Sequence, residues 1–250
     1  MKKNLSIALI AISVIFTISC NKVENNPDNS NPNTSPTVTD NDGNSCKTVI
    51  IGNKTWMAEN LKVTTYNDGT TIPTVTDVDT WKNLTSGAVC TYNNTANSDT
   101  INKYGRLYNW YAVNTGKLCP TDWHVSTESD WNDLVDSLEL NGFRIEGANT
   151  FGKGIASTSG WELASNNANG GNVGYDQTTN NSTGFNAYPS GFRNSLATYA
   201  YSGSEAYWWT TREDNLTTAR DINLYTNSSE IGLRYSNTKT SGMSVRCVKD

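Results

Sequence analysis

One segment of this chain carries a clear helical period, and it limits what the rest can build. Trp131, Leu134, Val135 and Leu138 recur at i, i+3, i+4 and i+7, which predicts an amphipathic helix over about 127–139. Ser126 or Thr127 starts it and Asn141-Gly142 stops it. Elsewhere apolar residues come in short β-branched or aromatic runs between turn residues. Lys47–Ile51, closed by Gly52-Asn53 and followed by Thr55–Ala58, reads as an opening hairpin. Val63–Tyr66 and Thr70–Ile72 flank Asn67-Asp68-Gly69, a tight turn. Residues 164–184, rich in Asn and Gly, read as a long surface loop. Runs at Ala206–Thr211, Arg220–Tyr225, Ile231–Tyr235 and Met243–Val248 read as an antiparallel meander. Asn, Thr and Ser exceed a third of the chain, yet eight Trp and twelve Tyr supply a core. The expected fold class is therefore α+β, mostly β: twisted antiparallel sheets, one main helix with one or two short ones, and long loops. No internal repeat or heptad pattern is present.

The N-terminus reads as an address. Met1-Lys2-Lys3 is positive, and Leu5 to Ile18 is an apolar run too short to span a bilayer comfortably. Thr17-Ile18-Ser19-Cys20 looks like a lipobox, so residues 1–19 are expected to be a lipoprotein signal peptide and Cys20 the lipid anchor, carrying acyl chains such as palmitate. Residues 20–44, with three of the six prolines and little to bury, are expected to form a flexible stalk. Residues 45–250 are expected to be one folded domain. The expected location is an outer membrane lipoprotein, facing the periplasm or exposed on the cell surface, with the membrane as partner through the N-terminal lipid.

With 19 Lys+Arg against 24 Asp+Glu and a formal net charge of -5, no broad cationic field exists for nucleic acid. His124 is the single histidine, so a site needing two imidazoles cannot come from this chain alone. Cys46, Cys90, Cys119 and Cys247 remain after Cys20. They have no Cys-x-x-Cys spacing, which favours disulfides over a metal site or a catalytic thiol. Three pairings are open. Cys119–Cys247 with Cys46–Cys90 is preferred, since it closes the C-terminal strand onto the middle of the domain and staples the first strands together.

Six stretches resemble, in order, the Fibrobacter succinogenes major paralogous domain family of bacterial surface lipoproteins. They are Trp56–Lys62 (WMAENLK), Tyr104–Val113 (YGRLYNWYAV), Leu118–Val125 (LCPTDWHV), Thr183–Asn194 (TGFNAYPSGFRN), Tyr207–Thr211 (YWWTT) and Gly242–Asp250 (GMSVRCVKD). The chain departs from that pattern at Asp122 and Ser190, where Gly is usual, at Ser126, where Pro is usual, and at Met243, where Phe is usual. The resemblance brings no established biochemical activity. Trp123-x-x-x-Thr127-x-x-Asp130-Trp131, followed late by Gly242-x-x-x-Arg246, is similar to the layout of formylglycine-generating enzymes and C-type-lectin-like domains. That similarity implies a C-type-lectin-like arrangement of sheets. It does not bring that enzyme's catalytic cysteine pair, which is missing here. Trp131-Asn132-Asp133 imitates a lectin ligand motif but lies on the predicted helix, with Trp131 facing the core.

The resulting expectation is a non-catalytic binding or adhesion module for a glycan or a surface protein. Neighbouring strand residues face opposite ways, so either Trp208 or Trp209 is exposed for ligand or both are covered. Tyr199, Tyr201, Tyr207 and Asn194 would add amphipathic contacts. The alternative is an envelope enzyme acting on polysaccharide through carboxylates, with Glu205, Glu213 and Asp214 as candidates. His124 reads as a strand histidine bonded to backbone, and Arg193 and Arg246 as guanidinium groups satisfying carbonyls. Asp40–Asn44 departs from calcium-loop spacing and reads as the turn ending the stalk. No cofactor is assigned; Asp176, Asn180 and Asn181 are the loop residues that could hold Ca2+.

Overall fold

The computed structural model describes residues 36–145, 148–165 and 171–250. The expected signal peptide, the expected anchor Cys20 and the expected stalk as far as residue 35 lie outside the described residues. The chain turns into strand ahead of Ser45. β1 (Thr37–Thr39) pairs antiparallel with β2 (Ser45–Ile51), and the Asp40–Asn44 turn joins them. That turn is held by the Asp40 carboxylate, which accepts from the backbone N–H of Asp42 and Asn44. It therefore lies inside the fold, and the expected domain start at Ser45 moves back past Thr37.

β2 continues through Gly52 into β3 (Lys54–Met57), the expected hairpin. The next stretch carries α1 (Val78–Lys82), β4 (Val89–Cys90), α2 (Ser98–Tyr104), β5 (Leu107–Tyr108) and α3 (Trp110–Val113). Then come β6 (Trp123–Val125), α4 (Glu128–Leu140), β7 (Arg144–Ile145), β8 (Ala148–Asn149) and α5 (Phe151–Ile155). The C-terminal part holds β9 (Ser190–Arg193), β10 (Tyr199–Ser202), β11 (Glu205–Glu213), β12 (Thr218–Tyr225), β13 (Gly232–Thr238) and β14 (Cys247–Lys249). The architecture is α+β and mostly β. No helix among the described residues is long and apolar enough to cross a membrane.

One five-stranded sheet has the order β1-β2-β3-β14-β6 and a second has β10-β9-β11-β12-β13. The expected meander holds for β11, β12 and β13. It fails for the last run: β14 lies between β3 and β6, with Val248 paired to both Trp56 and His124. Edge positions on β3 and β6 need a partner strand, and the chain's end supplies it while joining Cys247 to Cys119.

α4 matches its sequence period. Thr127 caps it in a box with Asp130, and Trp131, Leu134 and Leu138 are buried. Their core also holds Trp56, Phe185 and Trp208, whereas Met57, Trp209, Val245 and the Cys119–Cys247 disulfide belong to a second core. Consecutive residues Trp208 and Trp209 thus enter different cores, because both faces of β11 are covered.

The second expected disulfide is not formed. Cys46 and Cys90 are buried free thiols. Cys46 packs in the core around Met57, and Cys90 in a small separate cluster with Trp81 and Leu107. The two thiols therefore sit in separate packing units. Burial first, with the nearby Asp40 carboxylate second, pushes the Cys46 thiol up to about 12, and burial pushes Cys90 up to about 11.

Candidate functional site

The aromatic surface expected around Trp208 and Trp209 does not exist, since both indoles are fully buried. Trp208 donates its N–H to Asn60 Oδ1 and Trp209 to the Tyr108 carbonyl, at 2.9 Å each. Tyr207 is buried against Phe192, its hydroxyl on Glu205. Tyr199 donates to Asn94 Oδ1, and Asn194 Oδ1 accepts from Leu196 and Thr198 N–H within its own turn. Tyr201 is exposed and stacks on Phe192. These residues are taken up in the packing and hydrogen bonds of β9–β11.

The carboxylates of the enzymatic alternative are also in use. Glu213 bonds the Lys239 ammonium, and Asp214 pairs with Arg220 at 2.7 Å and accepts from Ser236. Of the calcium candidates, Asp176 accepts from Thr178, Asn180 donates to the Ser157 and Val173 carbonyls, and Asn181 Oδ1 accepts from Asn186 N–H. The 164–184 stretch is partly internal, with Val173 in the α4 core. His124 lies 2.5 Å from Asp250 and 3.0 Å from Asp130, so its side-chain partners are carboxylates rather than backbone.

A cleft of about 560 Å³ opens elsewhere, between three segments. Ala58, Glu59 and Lys62, just after β3, form one wall; Asp99, Asn102 and Lys103 of α2 form another; Asn181, Gly184, Asn186 and Tyr188 form the third, with Lys47 of β2 at the rim. Asn97 caps α2, so that wall starts at a defined point. Tyr188 meets Tyr104 edge to face at 5.8 Å, and the Lys103 ammonium lies 5.0 Å from both ring centres. Asn181 and Asn186 take left-handed backbone with φ of 64° and 59°, which asparagine tolerates better than most residues. Glu59 pairs with Lys62 at 3.1 Å. A smaller hollow of about 230 Å³ shares Lys62 and Asn102 with the cleft and adds Asp42, Ser98 and Arg106.

The walls are tied from behind. Arg246, fully buried next to β14, donates to the carbonyls of Met57, Phe185 and Asn186 and to Asn60 Oδ1, and it lies over the Phe185 ring at 4.1 Å. Burial lowers its pKa to about 9, still protonated at neutral pH. Asn60 in turn donates to the Tyr104 carbonyl. One guanidinium and one amide thus join the Met57–Lys62 segment, the end of α2 and the Phe185–Tyr188 segment. Gly105 allows the close approach. Its φ is +76°, and an added Cβ would lie 2.6 Å from Asn60 Cβ.

Aromatic ring, carboxamides and mixed charges facing an open cleft suit a ligand with hydroxyls and charge. Sequence reasoning missed this site. Glu59, Lys62, Asn186 and Tyr188 were all present in the WMAENLK and TGFNAYPSGFRN stretches, as polar residues with no turn or core role of their own.

Fold and cleft together define a mostly β domain with one main helix and an open polar cleft. The chain belongs to the Fibrobacter succinogenes major domain family, whose profile matches residues 49–249. No curated protein and no solved structure matches the chain.

Proposed function

We propose that the protein is a non-catalytic carbohydrate-binding module on an outer membrane lipoprotein, anchored through Cys20 and binding its ligand in the cleft between α2 and the Asn181–Tyr188 segment. The observation that carries this reading is the Tyr188 ring set beside Asn102, Asn181 and Asn186. Rings stack on the apolar faces of sugars, and carboxamides give paired donors and acceptors to vicinal hydroxyls. The cleft is shaped by buried bonds of the Arg246–Asn60 pair, so little ordering is needed on binding.

Glycan arrays followed by calorimetry with the full chain test the binding reading. The expected result is at least one glycan class bound, with Tyr188→Ala weakening it at least about tenfold at unchanged melting temperature. No binding across the array, or binding indifferent to Tyr188→Ala, overturns it. Metabolic labelling with palmitate tests the anchor: label is expected on the chain and lost in Cys20→Ser.

A further inference from the structure

The class of sugar rests on the carbohydrate reading above. We infer that the cleft and the adjoining hollow form one groove for an acidic polysaccharide, a chain of uronic acid residues whose carboxylates meet Lys103, Lys47 and Arg106.

Three observations support this. First, the two cavities adjoin across Lys62 and Asn102, with volumes of about 560 and 230 Å³. Second, the charges are unevenly matched. Lys62 is paired with Glu59, and the Asp42 Oδ2 atom accepts from the N–H and hydroxyl of Thr64. Lys47, Lys103 and Arg106 form no ion pair among the described residues, and the two linings hold four cations, Lys47, Lys62, Lys103 and Arg106, against three carboxylates, Glu59, Asp42 and Asp99. Cations thus outnumber acids here, although the chain carries a net charge of -5. Third, Lys103 is pre-positioned. Two tyrosine rings hold its ammonium without neutralising it, at the wall of the cleft that Tyr188 lines. A neutral sugar would leave that charge unanswered; a uronate answers it with a charge-assisted hydrogen bond. Arg106 extends the same logic into the hollow. Its Nε donates to the Lys62 carbonyl, which fixes the side chain along the groove floor.

The full chain is titrated calorimetrically with tetragalacturonate, with cellotetraose and with a tetraglutamate peptide, at 20 mM and 500 mM NaCl. Tetragalacturonate is expected to bind at least about tenfold more tightly than either comparator and to weaken at high salt. Lys103→Met and Lys47→Met are each expected to weaken tetragalacturonate several-fold, by more than they weaken cellotetraose, and to reduce the salt dependence of its binding. Both side chains are exposed, and Lys47 lies on β2 rather than α2, so it serves if Lys103→Met perturbs α2. Equal affinity for cellotetraose overturns the acidic assignment while the carbohydrate reading stands. Equal affinity for tetraglutamate overturns it in favour of an acidic protein partner. Binding of no sugar, these or any on the array, overturns both.

Discussion

Arg246 and Asp221 show two opposite ways of burying a charge. The Arg246 guanidinium is surrounded by acceptors, and removing it strands the carbonyls of Met57, Phe185 and Asn186 in the interior. At about 1–3 kcal/mol for each buried polar group left unpaired, Arg246→Met is expected to lose about 5 kcal/mol, read from urea unfolding. Arg246→Lys should rescue little, because an ammonium cannot span those acceptors. Asp221 on β12 has the reverse problem. Asn237 donates to one carboxylate oxygen and the other has no partner, so burial pushes its pKa up to about 6. The folded state then holds this proton below about pH 6, whereas an unfolded aspartate releases it above 3.8. Stability is therefore expected to rise as pH falls from 7 toward 4. Asp221→Asn keeps the acceptor for Asn237, and should be about 3 kcal/mol more stable at pH 7 and flat across that window. Asp122, where glycine is usual in the family pattern, sits at φ 65°, an uncommon but tolerated place for aspartate.

Among the elements, α4 begins at a carboxylate that joins it to two strands. Asp130 closes the capping box with Thr127, takes the Lys54 ammonium from β3 at 2.7 Å, and faces His124 of β6. Burial alone would raise the Asp130 pKa; hydrogen bonds from Lys54 and Thr127 outweigh it and hold the carboxyl down at about 2. This stabilisation is present above the unfolded value of 3.8 and disappears as pH falls through about 2. Asp130→Asn is expected to lose about 2 kcal/mol at pH 7 and little at pH 2, with Thr127→Ala losing about 1 kcal/mol. Thermal melts across pH would distinguish both from the Asp221 profile, which runs the other way.

At the level of the domain, one disulfide spans 128 positions and fastens the final strand beside the middle of the chain. The chain-entropy account puts such a closure at about 4–5 kcal/mol, so Cys119→Ala is expected to lower the unfolding midpoint strongly. Cys90→Ala should act only through a small cavity. Alkylation after denaturation without reductant is expected to label Cys46 and Cys90 and to spare Cys119 and Cys247. Labelling of neither Cys46 nor Cys90 would mean that they are oxidised together. The two five-stranded sheets share the cores on either side of β11, and the cleft lies at their margin, where α2 and the Asn181–Tyr188 segment meet the end of β3.

Periodicity and capping are local, so the α4 helix, the β2–β3 hairpin and the β11–β13 meander could be read along the chain. The alternation that sends Trp208 and Trp209 to opposite faces was legible too, but what covers each face comes from residues far away: Phe185 and α4 on one side, Tyr108 and Met57 on the other. For the same reason the cysteines could be counted but not fully paired, since bonding needs two strands to meet and Cys46 and Cys90 belong to separate clusters. The cleft was the least visible feature. Its walls lie at residues 47–62, 99–103 and 181–188, and they converge only because a buried arginine near the C-terminus binds carbonyls from the first and the last, with Asn60 reaching α2. A side chain's own chemistry declares which bonds it needs; which partners answer them is set by chain segments 44 to 189 positions away.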